Sequence, residues 1–272
     1  MQRLARVIDK DGRYTYGWVT GLSAEAEALP TSRFQPIVGD IFGEHRAQGE
    51  PQPLSAVRLL APIMPSKIIG IGSNYRDHAA EMGKPVPPVP KVFLKPPTAL
   101  VGPNDPIPLP PGTERVDHEA ELAVVVGRTL YCASPEECLA GVLGYTCGND
   151  VTARDFQRAD GVFARGKGFD GFCPIGPWLV LGPPPARLGV RAEVNGQVRQ
   201  DGNTDQMVFD TAALLSFVSH IMTLLPGDLL LTGTPAGVGP LVEGDVVDVI
   251  LEGVGRLSNP VADRADRAAA RR

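Results

Sequence analysis

The 272-residue sequence lacks the features of a membrane or secreted protein. No segment has the roughly 18 consecutive apolar residues of a membrane span, and no apolar signal-peptide stretch follows the N-terminal MQRLAR. Cys132, Cys138, Cys147 and Cys173 show neither Cys-x-x-Cys spacing nor the density of a disulfide scaffold. We therefore expect a cytoplasmic protein with reduced thiols and no membrane partner.

Basic charge is also scarce. The chain has 26 lysines and arginines against 31 aspartates and glutamates, a net charge of -5, whereas nucleic-acid-binding proteins usually carry a basic excess. Hydrophobic residues make up 43% and charged residues 21%, which is typical of a globular chain rather than a disordered one. We expect no nucleic-acid partner.

Proline and glycine are abundant, at 27 and 31 residues. Turns between short strands use both residues freely, whereas helices tolerate them poorly, so the sequence predicts a strand-rich α+β fold. Asn195-Gly196 predicts a hairpin, and one longer helix is expected from about Asp210 to Pro226. Prolines at 62 and 65 suggest a junction between a small N-terminal β module, residues 1–61, and a larger domain, residues 62–272.

Two glycine-rich segments resemble nucleotide-binding motifs incompletely. In GIGSNY, Tyr75 stands where the third glycine of a dinucleotide fingerprint belongs. In GVFARGKG, Gly168 stands where a P-loop needs a hydroxyl for magnesium. We therefore do not expect a nucleotide site at either segment.

The stretch VDHEAELAVVVG places Glu119 and Glu121 on one face of a predicted strand. Two neighbouring buried carboxylates repel, so either that face is solvated or a cation lies between them. Asp150, at the end of the next apolar strand, GYTCGND, offers a third oxygen ligand. Asp155 and Asp160 lie close by, and spacing does not exclude either of them as the third ligand. An all-oxygen site suits Mg²⁺, Mn²⁺ or Ca²⁺ better than Zn²⁺.

His78 and His118 each have an acidic residue nearby in the sequence. His78 and Glu81 lie three residues apart on a predicted helix, where a carboxylate can orient an imidazole as a general base. A surface histidine beside a helical glutamate is the simpler interpretation of this pair alone. His118 neighbours Glu119 but points to the opposite face of a strand, so we expect it to be structural.

Six segments, taken in order, resemble the fumarylacetoacetate hydrolase family over residues 62–261. They are IGSNYRDHAAEM, VFLKPPTALVGP, VDHEAELAVVVG, GYTCGNDVTARDFQ, ARGKGFDGFCPIGPW and MTLLPGDLLLTGTPAGVGPL. The resemblance is to bacterial acylpyruvase-like and 2-hydroxyhepta-2,4-diene-1,7-dioate isomerase-like members. It implies a mixed β-sandwich roll, usually a homodimer, with one divalent metal ion per subunit.

The resemblance also implies roles for particular residues. The metal ion, Mg²⁺ or Mn²⁺ with Ca²⁺ possible, would be bound by Glu119, Glu121 and Asp150. The catalytic residues would be His78, Glu81 and Lys167, and the substrate-binding residues Arg154, Gln157, Lys95 and Thr234. Pro97 and the proline-rich loop 85–90 depart from the family pattern, which affects the expected substrate rather than the metal centre.

The implied activity is metal-dependent chemistry on α-keto acids or their enols, through a metal-stabilised enolate. Hydrolysis of a C–C bond in acylpyruvates or fumarylpyruvate and decarboxylation of oxaloacetate are the expected reactions. Isomerisation of 2-hydroxyhepta-2,4-diene-1,7-dioate is the alternative for the same site. A non-catalytic β protein that binds a cation is the alternative of another class.

Overall fold

The computed structural model describes residues 1–263, so the last nine residues of the predicted 62–272 domain lie outside the described part. About 42% of the chain is strand and 16% helix, which confirms the strand-rich α+β prediction. The helices are α1 (Arg76–Glu81), α2 (Pro135–Ala140), α3 (Arg154–Asp160), α4 (Phe163–Lys167) and α5 (Thr211–Ser219). The strands are β1 (Arg3–Ile8), β2 (Tyr14–Thr20), β3 (Arg33–Gly39), β4 (His45–Ala47), β5 (Gln52–Pro53), β6 (Arg58–Leu60), β7 (Ile68–Gly72), β8 (Lys91–Lys95), β9 (Leu100–Val101), β10 (Ile107–Leu109), β11 (Val116–His118), β12 (Ala120–Val126), β13 (Val142–Asn149), β14 (Thr152–Ala153), β15 (Cys173–Leu181), β16 (Gly189–Val194), β17 (Gln197–Asn203), β18 (Leu229–Leu231), β19 (Gly239–Leu241), β20 (Val246–Leu251) and β21 (Gly255–Asp263).

Within residues 1–263 the strands form three sheets, of which the two larger are mixed and the smallest is antiparallel. The largest has thirteen strands along the path β4-β3-β2-β1-β15-β13-β12-β18-β7-β8, with β5, β6 and β9 at its sides. A five-stranded sheet, β10-β21-β20-β16-β17, packs against it, and a short sheet, β14-β11-β19, lies beside the two. This arrangement is the mixed β-sandwich that the sequence predicted.

Strand β12 lies at the centre of the large sheet and is buried along its whole length. Its even-numbered residues, such as Leu122 and Val124, pack against β16 and β20 of the second sheet, for example at Val190 and Leu251. Its odd-numbered residues Ala123 and Val125 belong to a second core on the opposite face, together with Ile41, Ile63 and Ala99. Because successive side chains alternate, one apolar strand contributes to two cores.

The N-terminal strands continue the large sheet rather than forming a separate one. Strand β1 pairs with β15 from Arg3 opposite Val180, and Trp178 of β15 packs into the N-terminal core beside Phe34. The boundary between two domains near residue 61 remains a prediction.

The local predictions hold at the hairpin and at the start of α5. Val194 pairs with Gln197 across Asn195-Gly196, and both turn residues have positive φ, 53° and 73°. The Asp210 side chain caps α5 by accepting the backbone N–H of Ala213 at 2.8 Å.

The predicted end of α5 at Pro226 is wrong, because the helix stops at Ser219. Leu224 instead exchanges backbone hydrogen bonds with Leu130, which pulls the following segment into extended pairing. Within residues 1–263, no helix combines the length and the apolar character that crossing a bilayer requires.

Candidate active site

Three buried carboxylates meet where β12 begins and β13 ends. Glu119, Glu121 and Asp150 each offer an oxygen, and these oxygens lie within 4.8 Å of one another. The antiparallel pairing of Ala120 with Asn149 brings them together, because the residue before one strand then faces the residue after the other. The backbone N–H of Asp150 donates to the Glu119 carbonyl at 2.9 Å, which fixes this corner.

The tertiary structure selects Asp150 over the two alternatives that spacing left open. Asp155 accepts a hydrogen bond from the Thr113 hydroxyl at 2.6 Å, and Asp160 pairs with Arg165 at 2.5 Å. Neither belongs to the acidic cluster. His118 is buried with its Nδ1 3.0 Å from Gln200 Oε1, outside the cluster, as expected for a structural histidine.

Three basic side chains neutralise two of the three carboxylates. Lys167 Nζ lies 2.9 Å from Glu119 Oε2 and 2.5 Å from Asp150 Oδ2. Lys95 donates to Asp150 Oδ1 at 2.5 Å, and Arg154 to Glu119 Oε1 at 2.5 Å. Removing one member of such a buried network leaves its partner charge uncompensated in a low-dielectric interior.

The two glutamates therefore differ in their electrostatics. Burial by itself raises the pKa of Glu119, but Lys167 and Arg154 outweigh burial, and the pKa of Glu119 is lowered. Burial raises the pKa of Glu121, and the nearby charges of Asp150 and Glu119 raise it further, well above its usual range. Glu121 Oε2 accepts a hydrogen bond from the neutral backbone N–H of Gly233, with 2.7 Å between the oxygen and the nitrogen. Within residues 1–263 Glu121 forms no ion pair, and the charge of Lys167 acts on it without outweighing burial and the neighbouring carboxylates.

The donor set fits a hard divalent cation. Three carboxylates supply oxygen ligands of the kind that Mg²⁺, Mn²⁺ and Ca²⁺ prefer, and within residues 1–263 no other acidic group has this geometry. A cation bound by Glu119, Glu121 and Asp150 would relieve the repulsion that raises the pKa of Glu121.

The His78–Glu81 pair lies on α1, as the sequence predicted. His78 Nδ1 is 3.1 Å from Glu81 Oε2, and the His78 side chain is 8% exposed. An ionised carboxylate only accepts hydrogen bonds, so Nδ1 is the donor to Glu81, and in a neutral imidazole Nε2 is then the nitrogen with the lone pair. The imidazole also acts electrostatically on Glu119, which indicates that α1 lies close to the acidic cluster.

Two carboxylates hold α1 against the loop that follows β18. Glu81 Oε1 accepts the backbone N–H of Gly237 at 2.9 Å, and Asp77 Oδ2 accepts that of Ala236 at 3.3 Å. A six-residue helix has little stability of its own, so its position depends on such contacts. Glu81 therefore orients His78 and also fastens the helix that carries it.

One cavity joins the acidic cluster to α1 and contains most of the predicted site residues. The predicted residues on its wall are His78, Glu119, Glu121, Arg154, Gln157, Lys167 and Thr234. Asp150 and Lys95 lie behind this wall, where they bond to each other. Glu81 also lies off the wall and contacts it through His78.

The side chains of Thr234 and Gln157 are hydrogen-bonded to other residues of the protein. The Thr234 hydroxyl donates to the Ala120 carbonyl at 2.8 Å and accepts from Gln200 Nε2 at 2.7 Å. The single proton of the Thr234 hydroxyl is therefore donated to a backbone carbonyl. Gln157 Oε1 accepts from Arg154 Nη1 at 3.3 Å, which helps to orient the guanidinium.

Sequence reasoning missed three residues that support this site. Asp117 accepts from Arg154 Nε at 2.9 Å, and its position two residues before Glu119 in the same alternating stretch was a usable signal. Asp77 contacts Ala236, and its place one residue before His78 carried no signal for that role. Gln200 joins His118 to Thr234 from a distant hairpin, which no local pattern indicates.

Two family models together match nearly the whole chain. The fumarylacetoacetate hydrolase C-terminal model matches residues 67–262, and the Rv2993c-like N-terminal model matches residues 2–62. The first includes every predicted site residue. The resemblance drawn from the six sequence segments is thereby confirmed.

Named relatives support an enzyme. Protein Rv2993c of Mycobacterium tuberculosis is 48% identical over 262 residues, covering 95% of this chain and 97% of the relative. The mitochondrial oxaloacetate tautomerase fahd2 of Xenopus laevis is 47% identical over 220 residues, covering 76% of this chain and 69% of the relative. The crystal structure of 2-hydroxyhepta-2,4-diene-1,7-dioate isomerase from Mycobacterium marinum has a TM-score of 0.89 at 44% identity, covering 97% of this chain and 99% of that one.

Proposed function

The chain belongs to the fumarylacetoacetate hydrolase family, and from that premise we propose that it is a divalent-metal-dependent enzyme acting on α-keto acids. The reaction that its site supports best is hydrolysis of a C–C bond in an acylpyruvate. One observation carries this proposal: a histidine oriented by a glutamate and a triad of carboxylates line the same cavity.

Glu119, Glu121 and Asp150 would bind the metal ion, with Mg²⁺ or Mn²⁺ preferred and Ca²⁺ possible. When bound, such an ion polarises the oxygens of a keto acid and stabilises negative charge that develops there. The cavity also presents Lys167 and Arg154, whose positive charges favour an anionic substrate.

His78 would be the general base. Its Nδ1–H bond to Glu81 leaves Nε2 able to take a proton from water, and the resulting hydroxide attacks the carbonyl distal to the keto acid. The C–C bond then breaks, and its electron pair stays on the pyruvate fragment. The proton returns to that fragment, giving pyruvate and a carboxylic acid from one acylpyruvate and one water.

Lys167 would stabilise the departing fragment. Burial by itself lowers the pKa of Lys167. The charges of Asp150 and Glu119 outweigh burial, so the pKa of Lys167 is raised. The ammonium therefore stays protonated at neutral pH beside the oxygens that become more negative as the bond breaks.

A tautomerase or isomerase activity is the second candidate, because two of the relatives above carry those names. The same His78 would move a proton between carbon and oxygen without water entering the product. Oxaloacetate decarboxylation would use the same site, with carbon dioxide as the leaving group. In the non-catalytic alternative, the cation would only join Glu119, Glu121 and Asp150, and His78 would have no effect on any turnover.

A substrate panel tests these alternatives directly. Acylpyruvates, oxaloacetate and 2-hydroxyhepta-2,4-diene-1,7-dioate are assayed with Mg²⁺, with Mn²⁺ and with EDTA. We expect acylpyruvates to give the highest kcat/KM when metal is present, and we expect no turnover in EDTA. A higher kcat/KM for oxaloacetate or the dienedioate would replace hydrolysis by tautomerisation, decarboxylation or isomerisation, and full activity in EDTA would contradict the metal site.

The homodimer, the cytoplasmic location, a role in aromatic catabolism and the two-domain division remain predictions. Size-exclusion chromatography with light scattering tests the first of them.

A further inference from the structure

Buried basic side chains balance the acidic cluster before a metal ion adds its charge. The three carboxylates of the cluster supply at most three negative charges. The buried basic side chains that bond to two of these carboxylates are Lys95, Lys167 and Arg154. Taken together, the cluster and these partners offer a divalent cation no net negative charge.

The charges that border the cluster do not change this balance. The buried Asp117 adds a negative charge 2.9 Å from Arg154, and Arg115 adds a positive charge 2.8 Å from Asp117. Within residues 1–263, the wall of the cavity carries four basic and two acidic side chains. A free cation that enters this cavity is therefore repelled, whereas an anion is attracted.

The oxygens of two proposed metal ligands are already engaged by charged donors. Lys95 and Lys167 each bond to one oxygen of Asp150. Arg154 and Lys167 each bond to one oxygen of Glu119. A metal ion that uses these oxygens shares them with a positive charge, and such charges repel the ion strongly in a low-dielectric interior.

Lys95 is the one of the three partners that lies behind the cavity wall. It is 1% exposed, and its Nζ lies 2.5 Å from Asp150 Oδ1 and 3.3 Å from the Val151 carbonyl oxygen. Its ammonium group is thus a fixed positive charge beside a metal ligand. A change at Lys95 can alter the electrostatics of the metal site while the residues on the cavity wall stay in place.

We propose that the metal ion and an anionic keto acid bind cooperatively at this site, and that Lys95 sets the strength of the coupling. The proposal rests on the proposed function, because it takes Glu119, Glu121 and Asp150 as the metal ligands. The carboxylate of the keto acid supplies the negative charge that the balanced cluster lacks. By thermodynamic linkage, each of the two then raises the affinity of the other by the same factor.

Titration of Mn²⁺ into the wild-type protein, alone and with saturating pyruvate or pyruvamide, tests the coupling. Both ligands present two oxygens to the ion, but pyruvate is an anion and pyruvamide is neutral. We expect pyruvate to tighten Mn²⁺ binding at least about tenfold, and pyruvamide to tighten it less than about threefold. Calorimetry, or the EPR signal of free Mn²⁺, gives each Kd.

Lys95→Met removes the buried charge and keeps a side chain of similar length. This variant should bind Mn²⁺ alone at least about tenfold more tightly than the wild type, and pyruvate should add a smaller gain. Lys67→Met is the matched control, because Lys67 pairs with the buried Asp228 at the opposite ends of β7 and β18 from the cavity. It should keep the wild-type Kd values.

Two results would overturn the proposal: an equal gain from pyruvate and pyruvamide, or an unchanged Kd for Mn²⁺ alone in Lys95→Met. If Lys95→Met does not fold, the two ligands compared on the wild-type protein decide the question. If Mn²⁺ binds under no condition, both the proposal and the proposed metal site are wrong. If the charge-dependent coupling is found while acylpyruvates are not cleaved, the proposed hydrolysis is wrong and the coupling stands.

Discussion

Two parts of the site differ in how they are held: the acidic cluster with its basic partners, called the floor, and helix α1 with His78 and Glu81, called the rim. At the floor, Glu119, Asp150, Lys95 and Lys167 are all at most 5% exposed, and they are held by ion pairs between segments of the sheets. At the rim, α1 has six residues, and the Glu81 side chain is 34% exposed. The floor keeps its geometry because moving one charge would leave another unpaired, whereas the rim depends on a few hydrogen bonds to one loop.

The comparison also separates two glutamates within the floor. Glu119 contacts Arg154 and Lys167, whereas Glu121 contacts a backbone N–H. Glu119, just before β12, is therefore ion-paired without any metal, whereas Glu121 on β12 lies among like charges that a bound cation would offset. Substitutions at Glu121, His78, Glu119 and Asp77 should therefore have different effects on activity, metal binding and stability.

Glu121→Gln should abolish metal-dependent activity, lowering kcat/KM roughly 10⁴-fold, because metal-ion catalysis contributes several kcal/mol. In EDTA the variant should unfold at the same temperature as the wild type or higher, since a repelled charge is removed. Added Mg²⁺ or Mn²⁺ should raise the Tm of the wild type but not of the variant. Thermal unfolding with and without metal measures this, with the exposed Glu50→Gln as control; a metal-dependent Tm shift in Glu121→Gln equal to the wild-type shift would contradict the assignment.

His78→Ala should lower kcat/KM about 10³-fold, within the range expected for loss of a general base. Metal affinity by calorimetry and the Tm should stay close to wild type, because His78 belongs to the rim. His220→Ala, at the exposed end of α5, is the matched control. Turnover that survives in His78→Ala would rule out the base and favour the non-catalytic alternative.

Glu119→Gln should destabilise the metal-free protein by about 3 kcal/mol, a factor of about 10² in the folding equilibrium, because Arg154 and Lys167 lose a buried partner. Urea unfolding in EDTA measures this free energy, and Glu121→Gln under the same conditions is the control. Equal stabilities for the two variants would mean that the charges of the floor are solvated rather than paired.

Asp77→Asn should lower kcat/KM about fivefold, because one hydrogen bond from Ala236 to a charged carboxylate is weakened. The metal affinity should not change, since Asp77 does not contact the floor. Steady-state kinetics beside calorimetry measure both quantities, with Asp11→Asn in the N-terminal turn as control. A loss of metal affinity in Asp77→Asn would show that the rim and the floor are coupled.

Much of the site followed from local patterns in the sequence. Glu119 and Glu121 share a face because strand geometry repeats every two residues, and His78 and Glu81 meet because helix geometry brings residues three apart together. The start of α5 followed from the capping preference of Asp210. The end of α5 did not, because Leu224 pairs with Leu130, a residue almost a hundred positions away.

The choice among Asp150, Asp155 and Asp160 shows where local patterns stop. All three follow the same strand within eleven residues, so spacing treats them alike. Their partners differ: Lys95 and Lys167 bond to Asp150, Thr113 donates to Asp155, and Arg165 pairs with Asp160.

The sequence by itself determined the strand-rich architecture, the family, and the residue types of the candidate site, because these depend on periodicity, turn chemistry and long motifs. Only the tertiary structure decided how the charges pair, that Glu121 forms no ion pair within residues 1–263, and that Asp77 and Gln200 support the candidate site. Pairing of buried charges depends on distances between segments far apart in the chain, and such distances are set by how the sheets pack together.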